Sequence, residues 1–159
     1  MTEVCILGVD PGLSGAIAFY FPSRPERVAV EDMPLADGEI SAPLLAEMIV
    51  SFQPALAVIE RVSAMPGQGV VSMFNFGRAY GDVRGVIGAL AVPVHYVTPG
   101  KWKKHYQLGA DKEECRGRAL QLFPSCADHF KRKKDHGRAE AALIAKYGAE
   151  MIYNWGKAA

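Results

Sequence analysis

The sequence contains only three cysteines, Cys5, Cys115 and Cys126, in 159 residues, and no two of them form a Cys-x-x-Cys pair. An odd number without paired spacing argues against a disulfide framework and against a structural zinc site. We therefore interpret the three cysteines as reduced packing residues.

Long apolar runs and targeting segments are also absent from the sequence. No run approaches the roughly 20 apolar residues of a membrane-spanning helix, and no basic stretch precedes an apolar one at the N-terminus. The chain has no internal repeat, low-complexity tract or linker. We expect a cytoplasmic protein with no membrane association, in which residues 1–159 form a single domain with one full core.

Charge is distributed unevenly along the chain. The net charge is +1, but residues 1–99 carry 5 Lys and Arg against 10 Asp and Glu, whereas residues 100–159 carry 13 against 7. The basic C-terminal third favours a polyanionic partner, although a solvated face gives the same pattern.

Apolar and alternating patterns predict a mixed α/β fold. The predicted elements are strands over 3–9, 15–21 and 27–33, a helix over 42–52 capped by Ser41, a strand over 55–60, a helix over 70–91, a strand over 92–97, and helices over 100–108, 110–123 and 137–155. The first three strands form an antiparallel meander. A helix followed by a buried strand implies two further parallel strands, so we expect a mixed sheet flanked by helices.

The predicted helix over 70–91 carries an unusual stripe of glycine. Gly77, Gly81 and Gly85 are spaced four apart, with Gly88 beside them. Each glycine weakens a helix by about 0.8–1 kcal/mol, so close approach to another backbone is the expected reason for the stripe. That backbone belongs either to the protein's own sheet or to a second copy of the chain in a homodimer.

Three carboxylates stand at the ends of predicted elements. Asp10 follows the first apolar run, Glu60 ends the strand over 55–60, and Glu140 lies in the first turn of the last helix. If the first and fourth strands are parallel neighbours, Asp10 and Glu60 emerge at the same C-terminal edge of the sheet. Their repulsion there would be relieved by a divalent cation such as Mg²⁺ or Mn²⁺.

Each of these acids also has a purely structural interpretation. Asp10 before Pro-Gly could cap a turn, Glu60 could simply end a strand, and Glu140 suits the positive N-terminus of a helix. The order of the three acids, each at the end of its own element, favours the functional interpretation over the structural one.

Four sequence motifs occur in a fixed order: GVDPGLSGAIA, VIERV, TPGKWKK followed by ADKEE, and DHGRAEAALIA. Together they cover most of the chain and resemble the RuvC family of Holliday-junction resolvases, particularly the short members carried by bacteriophages. The resemblance implies a ribonuclease H-like fold, with a mixed five-stranded sheet of three meander strands and two parallel strands.

The resemblance also implies two-metal chemistry. In this family two Mg²⁺ ions, held by four carboxyl-type ligands, activate a water and stabilise the leaving 3′ oxygen, and the cut leaves a 5′ phosphate. Asp10, Glu60 and Glu140 match three of the four ligands. The expected cofactor is therefore Mg²⁺, with Mn²⁺ as a substitute.

The fourth ligand has two candidates in this sequence. The family has an acid or a histidine three residues before the last acid, where this chain has Gly137. We favour Asp135, because oxygen suits Mg²⁺ better than imidazole, although a helix N-cap is its structural alternative. His136 is the other candidate, either as ligand or as the group that takes the proton of the attacking water, and it shares a face with Glu140 if the helix includes residue 136.

Basic residues form two groups near these motifs. The resemblance suggests that Lys103 and Lys112 contact DNA phosphates near the cut. We interpret the run at 131–134 as an electrostatic footprint for a duplex backbone, with a solubilising run as the alternative. The predicted DNA-binding residues are Lys101, Lys103, Lys104, Lys112, Lys131, Arg132, Lys133 and Lys134.

These observations predict a Mg²⁺-dependent, structure-selective DNA endonuclease that resolves four-way junctions and other branched DNA. A homodimer through the helix over 70–91 would place two active sites for paired nicks. Two alternatives remain open at this point: a catalytically degenerate junction-binding protein, and a nuclease that acts on RNA:DNA hybrids.

Overall fold

A five-stranded mixed sheet forms the centre of the fold, and helices pack on both of its faces. The structure is a computed structural model that describes residues 3–154. Its strands are β1 Ile6–Asp10, β2 Ala16–Tyr20, β3 Val28–Asp32, β4 Leu35–Ala36, β5 Glu39–Ile40, β6 Leu56–Glu60 and β7 Val94–Val97. Its helices are α1 Ala42–Phe52, α2 Val70–Ala89, α3 Pro99–His105, α4 Lys112–Leu122 and α5 His136–Tyr147. Two 3-10 helices, Pro124–His129 and Lys133–Asp135, precede α5, and a π-helical turn, Gly148–Ile152, follows it.

The strand order in the large sheet is β3-β2-β1-β6-β7. The pairs β1–β2 and β2–β3 are antiparallel, whereas β1–β6 and β6–β7 are parallel. The predicted fold class, a three-stranded meander extended by two parallel strands, is therefore confirmed. β1 is central and paired on both sides, which explains why its residues form an almost continuous apolar run.

The alternation of side chains along the strands divides the core into two layers. Ile6 and Val58 belong to the layer that the sheet forms with α5. Leu7, Val9 and Ile59 belong to the opposite layer, with apolar residues of α1 and α2. Residues two apart in a strand share a face, so this parity also decides which layer the residues at the strand ends will face.

Small residues let α5 lie directly on the sheet. A β-carbon added at Gly8 in β1 would come 2.3 Å from the Ala141 carbonyl oxygen and 2.4 Å from the Ala145 amide nitrogen. At the other end of α5, a β-carbon at Gly148 would come 2.5 Å from Cγ2 of Val58. These close contacts fix the position of α5, and of the side chains it carries, relative to β1.

The structure differs from the predicted elements in three places. Asp37 and Gly38, both with positive φ, form the tight turn of a β4–β5 hairpin that was not predicted. The predicted irregular connector before Lys134 contains the two 3-10 helices. The last helix begins at His136 and changes to a π-helical turn at Gly148; its predicted end at residue 155 lies outside the described residues.

Helix α2 is exposed over its N-terminal part and buried only further along its length. Its buried residues are Ala79, Val83 and Ile87, whereas Val70 and Phe74 are largely exposed. A β-carbon added at any of the four stripe glycines would meet no atom within 4 Å, so the stripe is not packed on the protein's own sheet. Among residues 3–154, neither α2 nor any other helix has the length and apolar character needed to cross a membrane.

The three cysteines are free thiols in or near the core. Cys5 and Cys115 are buried, and Cys126 is partly buried. Burial raises the pKa of Cys115 to about 11, which keeps this thiol protonated and unreactive at neutral pH. Their interpretation as packing residues agrees with this placement.

The contact between α5 and β1 leads to a stability prediction. Gly8→Ala should lower the free energy of unfolding by about 1–3 kcal/mol or more, because the added methyl group overlaps the backbone of α5. Gly117→Ala in α4 is the matched control, since a β-carbon there meets open space and alanine favours a helix. Equal unfolding free energies for the two variants in urea titrations would contradict this account of the packing.

Candidate metal centre

Strand register brings Asp10 and Glu60 to one edge and one face of the sheet. The parallel pairing of β1 with β6 places Val9 opposite Ile59, so Asp10 and Glu60 both follow at the C-terminal ends of neighbouring strands. Two residues earlier in each strand, Gly8 and Val58 face α5. Side chains two apart share a face, and both carboxylates therefore lie on the side of the sheet that α5 covers.

Glu140 completes the group from α5. It is the fifth residue of the helix, because α5 begins at His136 rather than at Gly137, and it lies on the part of α5 that packs above the C-terminal end of β1. One carboxylate oxygen from each of Asp10, Glu60 and Glu140 lies within 4.8 Å of the other two. Three acids that are distant along the chain thus converge, and the strand-end positions had predicted this for Asp10 and Glu60.

Repulsion between these carboxylates is visible in their proton affinities. Burial raises the pKa of Asp10 well above its ordinary value, and the neighbouring negative charges of Glu140 and Glu60 raise it further. Burial also raises the pKa of Glu60, partly offset by a hydrogen bond from Trp102. Without a counterion Asp10 and Glu60 therefore hold protons more tightly than isolated carboxylates do.

Glu60 is buried and has one hydrogen-bonding side chain among residues 3–154. The indole Nε1 of Trp102, in α3, donates to Oε2 of Glu60 over 2.7 Å. Trp102 is itself fully buried. No local pattern in the sequence connects Trp102 with a carboxylate 42 positions earlier, so sequence reasoning does not find this contact.

A cavity of about 210 Å³ opens above the carboxylates. Lys112, at the start of α4, and His136, at the start of α5, both reach this cavity. Its other walls come from the turn after β1, from the segment after β6 and from α2. The complete lining is Asp10, Pro11, Gly12, Leu13, Ser14, Gly15, Glu60, Val62, Phe76, Lys112, His136 and Glu140.

The structure does not bring Asp135 to this group. Its carboxylate accepts hydrogen bonds from the backbone N–H of Arg132 at 2.9 Å and from the Arg132 guanidinium at 2.8 Å. Burial alone would raise the pKa of Asp135, but these bonds and the nearby Arg138 lower it below the ordinary value. Asp135 therefore caps the 3-10 helix before α5, whereas His136, the alternative candidate, lines the cavity and lies one turn before Glu140.

Gly137 lies three residues before Glu140. At this position the RuvC family, which the sequence resembles, carries an acid or a histidine. A β-carbon there would lie 3.0 Å from the Ser14 carbonyl oxygen and 3.2 Å from Oδ2 of Asp10. A side chain at 137 would therefore require the turn after β1 to shift by a few tenths of an ångström. This packing gives a physical reason why the chain has glycine there.

The predicted DNA-binding residues are exposed or partly exposed, and one of them, Lys112, lines the cavity. Within the basic run, Lys131 pairs with Asp128 at 2.6 Å and Arg132 pairs with Asp135, so both are partly neutralised. In the described part of the chain, Lys133, Lys134 and the four lysines at 101, 103, 104 and 112 make no salt bridge. Their charges are available to an anionic partner.

The donor set fits a hard divalent cation. Three carboxylates supply oxygen ligands of the type that Mg²⁺ and Mn²⁺ prefer, and the group contains no sulfur donor. Their mutual repulsion is the force that a bound cation would remove. Asp10, Glu60 and Glu140 are thus the residues that could hold such an ion.

A five-stranded sheet of this order, with acids at the C-terminal edge of its central strands and on the last helix, defines a ribonuclease H-like fold. RuvC of Thermus thermophilus, in complex with a Holliday junction substrate, is similar with a TM-score of 0.63 and 17% identity over 94% of this chain and 97% of that chain. The fowlpox virus Holliday junction resolvase is similar with a TM-score of 0.57 and 13% identity, over 94% and 99% of the two chains.

The yeast mitochondrial Holliday junction resolvase Ydc2 is also similar, with a TM-score of 0.53 and 16% identity over 90% of this chain and 78% of that chain. No protein-family model and no curated protein sequence matches the chain. The chain therefore has the fold of RuvC and the related Holliday junction resolvases, and the similarity extends over nearly its whole length.

The burial of Asp10 and its repulsion by Glu140 and Glu60 predict how the stability of the metal-free protein depends on pH. An acid whose pKa is raised by folding binds its proton more tightly in the folded state, so stability falls as pH rises from about 4, the ordinary Asp value, through the raised value. Metal-free Asp10→Asn should consequently unfold at a higher temperature than wild type at pH 8, by about 2–4 °C for each kcal/mol of repulsion removed.

The control for this prediction is Glu47→Gln, which removes an exposed carboxylate of α1. Thermal melts in EDTA at pH 4 and pH 8 make the comparison. The difference in unfolding temperature between Asp10→Asn and wild type should shrink at pH 4, because wild-type Asp10 is then protonated and neutral, as asparagine is at any pH. A less stable Asp10→Asn protein at pH 8 would be incompatible with the proposed repulsion.

Proposed function

We propose that the protein is a divalent-metal-dependent, structure-selective DNA endonuclease that cuts four-way junctions and other branched DNA. The observation that carries this proposal is the convergence of Asp10, Glu60 and Glu140 within 4.8 Å in a fold shared with Holliday junction resolvases. Lysines that make no salt bridge in the described part of the chain, among them Lys112 in the cavity wall, support a polyanionic substrate. The expected products carry 5′ phosphates.

Asp10, Glu60 and Glu140 are proposed as metal ligands and catalytic residues. Mg²⁺ or Mn²⁺ ions held there would activate a water and stabilise the leaving 3′ oxygen during phosphodiester hydrolysis. His136 lines the same cavity and is proposed either as a fourth ligand or as the group that accepts the proton of the water. Asp135 could serve as the fourth ligand only if it released Arg132.

Lys112 is proposed as the phosphate contact nearest the cut. Its side chain lines the carboxylate cavity, and its positive charge lowers the pKa of Asp10 against the larger effect of burial. An ammonium group in this place would bind a phosphate oxygen of the strand that enters the cavity. Lys101, Lys103 and Lys104 on α3, and Lys131, Arg132, Lys133 and Lys134, would contact the backbone further away.

Exposed apolar side chains between the end of β6 and the middle of α2 support a branched substrate over a regular duplex. Met65, Phe74 and Phe76 are 59%, 66% and 37% exposed, and Phe76 also lines the cavity. Aromatic and apolar side chains stack on unpaired bases, which a junction centre offers and a duplex interior does not. This segment is therefore proposed to face the branch point.

Cleavage of a labelled four-way junction tests the proposed activity. Wild type should cut the junction with Mg²⁺ or Mn²⁺ and not with EDTA, and Asp10→Asn should cut at least 100-fold more slowly, since a metal ligand is lost. Junction binding by Asp10→Asn should stay equal or become tighter, because one charge that repels phosphate is gone.

The same assay separates the alternatives. Junction binding without cleavage in Mn²⁺ would identify a degenerate junction-binding protein, and preferential cleavage of an RNA:DNA hybrid duplex would identify a hybrid-specific nuclease. Either result would overturn the proposed activity. Cleavage that persists in purified Asp10→Asn would remove Asp10 from the site.

A homodimer through α2 is the proposed assembly. The glycines at 77, 81, 85 and 88 face away from the protein's own sheet and leave room for a second backbone. Two symmetric cuts in a four-way junction need two active sites, and a two-fold dimer supplies them. The partner that the glycine stripe accommodates is therefore proposed to be a second copy of this chain.

Gly81→Leu tests this assembly. A side chain at this position points into open space and leucine favours a helix, so the monomer should keep its fold. A dimer interface that depends on close approach of the two α2 backbones should weaken. Sedimentation equilibrium should show a dimer for wild type, at least 10-fold weaker association for Gly81→Leu, and no change for the α4 control Gly117→Leu. A monomeric wild type at micromolar concentration would contradict the proposal.

A further inference from the structure

Trp102 connects the buried core to the carboxylate group. Its side chain is fully buried in the layer between the sheet and α5, together with Val58 and Val97 from β6 and β7. Only its Nε1–H is polar, and this group donates to Oε2 of Glu60 over 2.7 Å. A large, rigid and immobile side chain therefore ends in a single hydrogen bond to a proposed metal ligand.

Glu60 needs such a restraint on its side chain. The backbone of β6 is fixed by parallel pairing with β1 on one side and β7 on the other, but a glutamate side chain still has three rotatable bonds. Repulsion from Asp10 and Glu140 would turn the carboxylate away from the group. Within residues 3–154, no side chain other than Trp102 donates a hydrogen bond to Glu60.

The donor is also neutral, which suits a metal ligand. A lysine or arginine at this place would hold the carboxylate but would cancel the charge that attracts a cation. The indole N–H fixes one oxygen and leaves the negative charge of Glu60 in place. Hydrogen bonds of this kind orient metal ligands and raise affinity at many metal sites in proteins.

We propose that Trp102 is a positioning residue for the metal site: its indole N–H holds the Glu60 carboxylate in the orientation that lets Glu60 share a cation with Asp10 and Glu140. This inference rests on the proposed function, because it concerns the same site. It adds a residue that touches neither the metal nor the substrate and acts only through Glu60.

The position of Trp102 on α3 links this restraint to the DNA-binding surface. The same short helix carries Lys101, Lys103 and Lys104, and Nζ of Lys103 lies 5.5 Å from the centre of the Trp102 ring. Phosphates bound by these lysines would hold α3 in place, and with it the indole that holds Glu60. The metal site and the substrate contacts thus share one rigid element.

The test is Mn²⁺ binding by isothermal titration calorimetry on the full chain without DNA. Replacement of Trp102 by β-(3-benzothienyl)alanine, introduced by codon reassignment, keeps the bicyclic shape and replaces the N–H by sulfur. Trp102→Phe removes the donor and part of the ring. Both should weaken Mn²⁺ binding by about 10- to 100-fold, the usual cost of losing an oriented outer hydrogen bond at a metal site.

Phe123→Leu is the matched control for lost packing. Phe123 is fully buried in the same layer and does not line the carboxylate cavity, so its variant should lose stability but keep the wild-type Mn²⁺ affinity. Thermal melts of each variant measure the packing effect separately. The benzothienyl variant decides the matter if Trp102→Phe unfolds, because its shape leaves the core filled.

The outcomes separate the inference from the proposed function. Wild type that binds no Mn²⁺, or that binds it equally after Asp10→Asn, would overturn the proposed function and the inference with it. Wild type that binds Mn²⁺ at this site, with an unchanged affinity in the benzothienyl variant, would overturn the inference alone. Equal loss of affinity in Phe123→Leu would assign the effect to packing and also overturn it.

Discussion

Three carboxylates that repel one another are held together at the C-terminal edge of the sheet, and the rest of the structure can be understood as what keeps them there. Asp10, Glu60 and Glu140 converge within 4.8 Å, and burial together with this repulsion raises the pKa of Asp10 well above its ordinary value. The folded chain sustains this cost because each acid is attached to an element that cannot easily move. A cation that binds all three would convert the repulsion into attraction.

The restraints come from backbone geometry more than from side-chain chemistry. Parallel register sets Asp10 beside Glu60, and the close contact at Gly8 sets the height of α5, and therefore of Glu140, above β1. Glu60 is also held by a direct side-chain hydrogen bond, which the buried Trp102 donates. The same fold recurs in Holliday junction resolvases with 13–17% identity.

The sequence predicts the sheet and the three acids because each depends on a local pattern. Apolar runs that end in Asp10 and Glu60 identify buried strands, and strand parity and parallel pairing then bring the two acids together. The β4–β5 hairpin could also have been found from its Asp37–Gly38 turn. The bond between Trp102 and Glu60 depends on tertiary placement, which no local pattern contains. The pairing of Asp135 with Arg132, three residues apart, is local, but the sequence alone does not decide between this partner and a metal ion.

The measurement closest to the central claim is anomalous diffraction from crystals of the protein soaked in Mn²⁺. The account predicts a manganese peak that is coordinated directly by carboxylate oxygens of Asp10, Glu60 and Glu140, with the Trp102 indole still bonded to Glu60. Manganese bound elsewhere, or these three side chains turned apart with no ion between them, would contradict it.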